Sequence, residues 1–183
     1  MDDLTGFVSY DEMAVEPLKA YGWAVEYISW RDRNVDWSEL DAVVVRTTWD
    51  YHRSPVEFIA ALENIASRTH LENSVSLIKW NLDKRYLTSL AEAGVAVVRT
   101  EFFDETLDAA DLDRVRSEFG CEELIIKPTV SASSANTFRT TALTPEIATS
   151  LTGKHWMVQP FLESVLTAGE YSLFYFGGVF SHA

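Results

Sequence analysis

The feature that most restricts the fold is a run of consecutive apolar residues followed by a well-marked helix start. Residues Ala42–Arg46 read AVVVR, which is typical of a strand covered on both faces in a parallel sheet. Ser54 then offers an N-cap, Pro55 a first helical position and Glu57 the second half of a capping box. An earlier run rich in aromatic and β-branched residues, Ala24–Trp30, indicates another strand. This alternation of strand and helix predicts an α/β lobe.

Two further helices are predicted from apolar spacing and from the glycines that end them. The first helix, after Ser54, carries an apolar stripe at helical spacing, formed by Phe58, Ile59, Leu62, Ile65 and Ala66. A second helix is predicted over Asn81–Ala93, with Gly94 as its left-handed cap. Its predicted buried face consists of Tyr86, Leu87, Leu90 and Ala91. A third helix is predicted over Ala109–Phe119 and ends at Gly120.

The second half of the chain is dominated by short strand patterns. The predicted strands are Val95–Val98, Leu124–Lys127, Thr137–Thr141, Trp156–Phe161, Tyr171–Phe176 and Val179–Ala183. Gly177 and Gly178 predict a tight hairpin between the last two strands. The sequence shows no convincing strand before Asp11, and it stops inside a predicted strand at Ala183. Because an unpaired apolar strand leaves an exposed edge, we expect the chain to be a fragment of a longer protein.

Composition restricts the class of function. The 183 residues carry 15 Lys and Arg against 28 Asp and Glu, a formal net charge of −13. Such a surface repels polyanions and argues against nucleic-acid binding. With a single cysteine, Cys121, no intrachain disulfide can form, and no Cys/His cluster has zinc spacing. No leader pattern and no apolar run of membrane-spanning length are present, so a cytoplasmic protein without a membrane partner is predicted.

Two lysines are the first candidates for binding an anion. Lys84 is predicted in the opening turn of its helix, where a side chain and backbone N–H groups can face an anion together; a solvated surface lysine is the alternative. Lys127 ends an apolar strand and precedes Pro128, so its stem should be partly buried. Buried lysines rarely lack a partner, and that partner is either a phosphate or a nearby carboxylate.

Other candidates lie along the strands of the second half. Ser131–Asn136 is a loop of small residues, including Ser133 and Ser134, that could approach a polyphosphate closely; an ordinary hairpin loop is the alternative. The strand end Met157–Leu162 offers backbone groups and the Gln159 amide to a flat polar heterocycle. Glu170, after a glycine and at the predicted start of the next strand, could accept a hydrogen bond from a ribose hydroxyl. For each of these, routine sheet structure is the alternative.

Taken in order, these elements resemble the ATP-grasp superfamily. The stretches WNLDKRYLTSLAEAGVAVV and MVQPFLESVLTAGEYSLFYFGGVFSHA are similar to its glutathione-synthetase-like branch, and in particular to the group of D-cycloserine-forming ligases. The resemblance covers nearly the whole chain. It implies an ATP- and Mg²⁺-dependent ligase that activates a small carboxylate as an acyl phosphate, which an amine or similar nucleophile then attacks.

The resemblance also implies roles for individual residues. Lys84 and Lys127 would contact ATP phosphates, and Ser131–Asn136 would cover them, although this loop contains no glycine. The residues that would hold adenine are Gln159, Phe161 and Leu162 (through its backbone), and Glu170 would bind the ribose. Arg139 would reach the phosphates from the strand after the loop, with an exposed strand arginine as the alternative.

The segment Arg46–Tyr51 is expected near the carboxylate substrate. It follows a predicted parallel strand, and ligands of open α/β sheets gather at the carboxyl ends of strands. It resembles the R-x-D-P-P-x-D region that borders the substrate site of glutathione synthetases, without the two prolines. Arg46 suits two-pronged recognition of a carboxylate, and a structural ion pair is the alternative. Asp50, His52 and His182 have no firm assignment.

The resemblance implies a division of the chain and a limit to its chemistry. Residues 1–76 would form a pre-ATP-grasp parallel α/β lobe, 77–160 the ATP-grasp nucleotide-binding small subdomain, and 161–183 the first strands of the large subdomain. Family members carry their magnesium ligands on later strands, so we expect none in this chain. Without the metal, the 183 residues would bind nucleotide weakly and catalyse little.

Two other classes of function compete with a ligase. A non-catalytic nucleotide-binding or interaction module would keep the fold, and its last strand edge would drive pairing, for example as a homodimer. A dinucleotide-binding domain is disfavoured, because no Gly-x-Gly-x-x-Gly turn follows any predicted strand.

Overall fold

A computed structural model describes residues 9–104 and 107–183. Its α-helices are α1 (Val15–Ala20), α2 (Pro55–Ala66), α3 (Val75–Leu82), α4 (Tyr86–Glu92), α5 (Ala109–Phe119), α6 (Pro145–Leu151) and α7 (Ser164–Thr167). Its strands are β1 (Ala42–Val44), β2 (His70–Glu72), β3 (Glu101–Phe103), β4 (Leu124–Pro128), β5 (Phe138–Thr140), β6 (Trp156–Pro160), β7 (Phe174–Phe176) and β8 (Val179–His182). This mixed architecture confirms the predicted α/β class. The prediction that no strand precedes Asp11 falls mainly on residues 1–8, which lie outside the described residues.

The chain forms two compact units, each made of two separate stretches of the sequence. The first unit runs up to Val97 and includes Pro128–Asn136, and the second consists of Val98–Lys127 and Thr137–Ala183. The division of the chain at residues 76 and 160 stays a prediction.

The first unit contains a small parallel sheet packed against α2. Strands β1 and β2 pair in parallel, with Val43 opposite Leu71. The core of this unit is formed by Trp30, Trp37, Phe58, Leu62, Ile65 and Leu71. The parallel pairing confirms the expectation drawn from Ala42–Arg46, although the strand is two residues shorter and Val44 is exposed. The prediction that both faces of this strand are covered is therefore wrong.

Two local predictions for this unit are also wrong. Within residues 9–104 and 107–183, the run Ala24–Trp30 pairs with no strand, because strand propensity without a partner ladder does not make a sheet. Helix α2 forms where expected, but the Ser54 side chain makes no capping hydrogen bond. The backbone N–H of Ser54 closes the preceding turn onto the Tyr51 carbonyl, and this turn sets the backbone conformation of the serine. Of the predicted apolar stripe on α2, Ala66 is exposed.

The single helix predicted over Asn81–Ala93 is two helices separated by a break. Helix α3 ends at Leu82, Asp83 is extended, and α4 begins at Tyr86. The Asp83 carboxylate accepts a hydrogen bond from the Arg85 N–H at 2.9 Å, a local bond that competes with helical geometry. Gly94 adopts a left-handed conformation beyond α4, as predicted (φ 83°). On the predicted buried face, Ala91 is exposed, whereas Tyr86, Leu87 and Leu90 are partly buried.

The second unit is a four-stranded sheet covered by α5 and α6. The strand order is β3-β6-β4-β5, and the pairs β3/β6 and β4/β5 are antiparallel. Its core is formed by Leu107, Leu112, Val115, Leu124, Ile126, Ile147, Leu151, Trp156 and Val158. Helix α5 has the predicted bounds and ends at Gly120, which is left-handed (φ 67°). The predicted strand Val95–Val98 is wrong, since the ladder begins only at Glu101.

A two-stranded antiparallel hairpin, β7–β8, follows this sheet in sequence. Its turn is made by Gly177 and Gly178, both with positive φ, as predicted. Strand β7 starts at Phe174, three residues later than predicted. The large apolar side chains of the hairpin are exposed, namely Phe174, Tyr175, Phe176, Val179 and Phe180. Across the described residues, none of the helices combines the length and the apolarity that a membrane span requires.

Candidate functional site

The Lys84 side chain is held by the segment that precedes the small-residue loop. Its Nζ donates to the Ser131 Oγ at 2.8 Å, to the Ser131 carbonyl at 2.9 Å and to the Thr129 carbonyl at 3.4 Å. The Lys84 backbone N–H also donates to the Thr129 carbonyl, at 2.9 Å. Lys84 lies two residues before α4 rather than in its first turn, so the prediction of its helical position is wrong. All of these contacts lie within the first unit.

Asp83 and Thr129 complete this connection, and the sequence analysis missed both. The buried Thr129 hydroxyl donates to the Asp83 Oδ2 at 3.1 Å. The Arg85 guanidinium donates to the same carboxylate oxygen, also at 3.1 Å. Residues 83 and 129 are far apart in sequence, so no local pattern could have paired them. The result is a fixed backbone path for the connector between α3 and α4.

The loop Ser131–Asn136 adopts a backbone conformation that normally favours glycine. Ser133, Ser134 and Asn136 have φ values of 50°, 55° and 54°. A non-glycine residue in this region costs about 1–2 kcal/mol. Ser131 is buried, whereas Ser133 and Ser134 are exposed. The three serines predicted to cover a phosphate thus divide into one anchored residue and two solvent-facing residues.

Lys127 is partly buried near the end of β4, as the sequence predicts. Burial lowers the pKa of its ammonium group, and the charge of Glu170 only partly opposes this effect. Among the residues that the structure describes, Lys127 makes no hydrogen bond and no ion pair within 4 Å. A partly desolvated cation without a close anion suits a site that receives a negative ligand.

The residues predicted to hold a heterocycle lie at the end of β6 in the second unit. Gln159 is buried, and its amide donates to the Thr100 hydroxyl at 2.8 Å. The Phe161 N–H donates to the Glu123 carbonyl at 3.0 Å. The Leu162 N–H, in contrast, has no hydrogen bond to any described residue. Leu162 is an exposed residue, and its role in holding a heterocycle stays a prediction.

Arg139 is occupied by contacts within the second unit. Its guanidinium group is ion-paired with Glu123 through two nitrogens and lies 3.6 Å from the centre of the Phe161 ring. The Glu163 Oε1 lies 3.8 Å from the Arg139 Nη2. The hydrogen bond from Arg139 lowers the pKa of Glu123. This arrangement matches the alternative of a surface strand arginine, and a phosphate-binding role for Arg139 stays a prediction.

Arg46 is engaged in an ion pair with Asp11. Its Nη2 lies 2.7 Å from the Asp11 Oδ1, and its Nε donates to the same oxygen at 2.8 Å. This is the alternative that the sequence left open beside binding of a carboxylate substrate, which stays a prediction. Asp50, four residues later, is buried and accepts from the Trp30 indole at 3.1 Å and the Arg31 Nε at 3.2 Å. This carboxylate links the segment after β1 to Trp30 and Arg31.

The remaining candidates are exposed or lack a cluster. Glu170 is exposed and lies in a loop, because β7 begins only at Phe174, so its predicted position at a strand start is wrong. His182 is exposed and stacks on Phe174 with ring centres 4.6 Å apart. The described residues contain no group of three or more His, Cys, Asp or Glu side chains that could hold a metal ion.

The chain is similar to known proteins in sequence and in fold. A family model for the N-terminal domain of D-cycloserine synthetase DcsG matches residues 1–73. The cycloserine biosynthesis protein DcsG of Streptomyces lavendulae is 35% identical over 177 residues, which cover 92% of this chain and 59% of that protein. The chain thus spans about three fifths of the length of this curated relative.

Two solved structures extend the comparison. The crystal structure of D-cycloserine synthetase DcsG superposes with a TM-score of 0.81 at 34% identity, covering 94% of this chain and 61% of that chain. An ATP-grasp RimK domain protein from Sphaerobacter thermophilus superposes with a TM-score of 0.56 at 15% identity, covering 86% of this chain and 62% of that chain. The second likeness is one of fold alone.

Proposed function

We propose that this chain, which resembles ATP-grasp ligases in sequence and in fold, supplies the nucleotide-binding part of an ATP-dependent ligase. The ligase joins the carboxylate of a small amino-acid derivative to an amine or similar nucleophile. It does so through an acyl phosphate, which forms by transfer of the ATP γ-phosphoryl group to the carboxylate and releases ADP. The nucleophile then displaces phosphate.

The observation that carries the proposal is the environment of Lys127. Its ammonium group is partly buried, its pKa is lowered by that burial, and no described residue is within ion-pair distance. A phosphate oxygen would stabilise the charged form of this ammonium group. The end of β6, in the same unit, contributes the Leu162 N–H, which suits an acceptor nitrogen of adenine. The donor groups present therefore fit ATP.

Magnesium is proposed as the partner of ATP, because it compensates charge on a transferred phosphoryl group. The residues of this chain contribute ammonium groups and N–H donors to the proposed nucleotide site, and these bind, orient and partly desolvate the phosphates. The proposed role of Lys84 is to bind a phosphate while it stays anchored to the segment before the loop.

Calorimetry with Mg-ATP tests the nucleotide part of the proposal. Lys127→Met keeps the length of the stem and removes the charge, and we expect it to weaken binding by at least about tenfold, as loss of a charge-assisted contact predicts. Lys154→Met is the matched control, because Lys154 is an exposed lysine of the same unit. Both variants remove one positive charge from a chain of net charge −13, so the change in net charge is the same in both. Equal affinities of the two variants would refute the assignment of Lys127.

Trapping with hydroxylamine tests the reaction class. Hydroxylamine attacks an acyl phosphate and yields a hydroxamate and free phosphate, and the hydroxamate gives a coloured ferric complex. We expect the protein encoded by the full gene to form hydroxamate from a member of a panel of amino-acid carboxylates, only when Mg-ATP is present. ATP binding without hydroxamate or ADP formation for any acid would instead indicate a non-catalytic nucleotide-binding module.

A further inference from the structure

Tyr51 connects two segments of the first unit that are 80 residues apart. Its phenol hydroxyl donates to the Ser131 carbonyl oxygen at 3.3 Å. Its ring packs against Phe58 of α2, with ring centres 5.7 Å apart. The side chain is therefore fixed at its base by the core of the unit, and only its hydroxyl reaches the start of the small-residue loop.

The oxygen that Tyr51 contacts is also an acceptor for Lys84. The Ser131 carbonyl accepts from the Lys84 Nζ at 2.9 Å, and the Ser131 Oγ accepts from the same ammonium at 2.8 Å. The Ser131 hydroxyl proton points to the Pro128 carbonyl at 3.2 Å, which leaves its oxygen lone pairs to Lys84. One residue thus presents two oxygens to one cation, and the position of Ser131 contributes to the direction of the Lys84 side chain.

The protonation state of Tyr51 is consistent with its role as a donor. Burial, and secondarily the neighbouring Tyr86, raises the pKa of the Tyr51 hydroxyl. The phenol therefore stays protonated at neutral pH and well above it. It can share the Ser131 carbonyl with the ammonium, because a carbonyl oxygen has two lone pairs.

From this geometry we infer that Tyr51 is a positioning residue for Lys84, acting through the carbonyl oxygen of Ser131. The inference rests on the proposed function in so far as Lys84 binds a phosphate of ATP. Tyr51 itself touches no phosphate in this scheme. It holds Ser131 in place, and Ser131 in turn holds the ammonium group.

Site-resolved acetylation of lysines tests the positioning directly and without ATP. Tyr51→Phe removes one hydroxyl and keeps the ring against Phe58. We expect acetylation of Lys84 by an N-hydroxysuccinimide ester to become about threefold to tenfold faster, since loss of one neutral hydrogen bond is worth about that factor. Lys79, exposed in the same unit, is the internal control and should react at an unchanged rate.

Tyr86→Phe is the matched control variant. Tyr86 is also a partly buried tyrosine, two residues from Lys84 in sequence, but its hydroxyl makes no hydrogen bond to the described residues. Its loss should leave the acetylation rate of Lys84 within about a factor of two, the scatter expected for a substitution that breaks no contact. An unchanged Lys84 rate in Tyr51→Phe, or an equal rise in both variants, would overturn the inference.

Mg-ATP affinity then separates the inference from the proposed function. Tyr51→Phe should weaken binding by about threefold to tenfold, and the effect should disappear in a Lys84→Met background, because the two residues act along one path. If Tyr51→Phe still weakened Mg-ATP binding in the Lys84→Met background, the inference that Tyr51 acts through Lys84 would be overturned. Faster acetylation combined with an ATP affinity that neither Tyr51→Phe nor Lys84→Met changes would support the positioning and overturn the assignment of Lys84 to ATP.

Discussion

The substitution Asp50→Asn should destabilise the first unit without disturbing the second. The Asp50 side chain is 9% exposed and accepts two hydrogen bonds, one from the Trp30 indole and one from the Arg31 Nε. The Arg31 guanidinium lies 4.0 Å from the centre of the Trp30 ring. Asparagine can keep one acceptor oxygen for the indole, but its amide nitrogen cannot accept from the guanidinium.

The expected loss follows from that geometry. A hydrogen bond to a charged group contributes about 1.5–3 kcal/mol. Glu57 lies 3.7 Å from the Arg31 guanidinium. In Asp50→Asn it would still compensate part of the arginine's charge, so the lower half of this range applies. We expect a loss of about 2 kcal/mol in the free energy of unfolding, which corresponds to roughly 4–8 °C in Tm for a chain of this size.

The effect should depend on pH in one direction. Burial raises the pKa of Asp50, but the hydrogen bonds from Trp30 and Arg31 lower it further, so that the net shift is downward. A carboxyl whose folded pKa is depressed contributes stability above its unfolded pKa, about 3.9, and loses it as pH falls through the folded value. Wild type and Asp50→Asn should therefore differ at pH 7 and converge in acid below about pH 4.

Hydrogen exchange read by mass spectrometry measures the effect unit by unit. Peptides from α2 should show the loss in protection, because Phe58 packs edge-on against Trp30 at 5.2 Å, whereas peptides from α5 should be unchanged. Glu57→Gln is the control, and its exposed ion pair should contribute no more than about 1 kcal/mol. Protection of α2 in Asp50→Asn equal to wild type at pH 7, or a deficit that stays constant down to pH 3, would refute the reasoning.

Three further outcomes are expected. Binding of Mg-ATP at alkaline pH should be accompanied by proton uptake, because a phosphate raises the lowered pKa of Lys127. The uptake is detectable as a dependence of the binding heat on the buffer, and Lys127→Met should reduce this dependence. Asp108→Ala should cost about 1 kcal/mol in urea unfolding, since Asp108 caps α5 with a complete capping box. Trp156→Phe should cost about 2–4 kcal/mol, because the fully buried indole donates to the Leu151 carbonyl at 2.7 Å; a loss below about 1 kcal/mol would contradict the packing described.

The parts of the fold that the sequence predicted are those with local signals. Helix α5 and its end at Gly120 follow from apolar spacing and a residue that tolerates positive φ. Helix α6 was missed although Thr144 and Pro145 carry the same kind of start signal as α2. The strand predicted at Ala24–Trp30 failed because pairing is decided by a distant partner, and no residue within the run reports on that partner.

The features of the candidate site likewise divide into those with a local sequence signal and those without one. The partial burial of Lys127 was predicted correctly from its apolar strand, because the signal is contiguous in sequence. The anchoring of Lys84 by Thr129 and Ser131 could not be predicted, since it joins segments more than 40 residues apart. The left-handed conformations of Ser133 and Ser134 were equally inaccessible, because serine carries no local preference for positive φ.

Two of the oxygens that accept from the Lys84 ammonium among the described residues belong to the main chain, one from Thr129 and one from Ser131. Every amino acid carries a carbonyl group, so substitution at residue 131 can remove the hydroxyl acceptor but not the carbonyl acceptor. Across related sequences, the lysine and the course of the backbone should consequently persist while the identity of residue 131 varies. An alignment that scores side chains would then register the cation at position 84 and overlook most of what orients it.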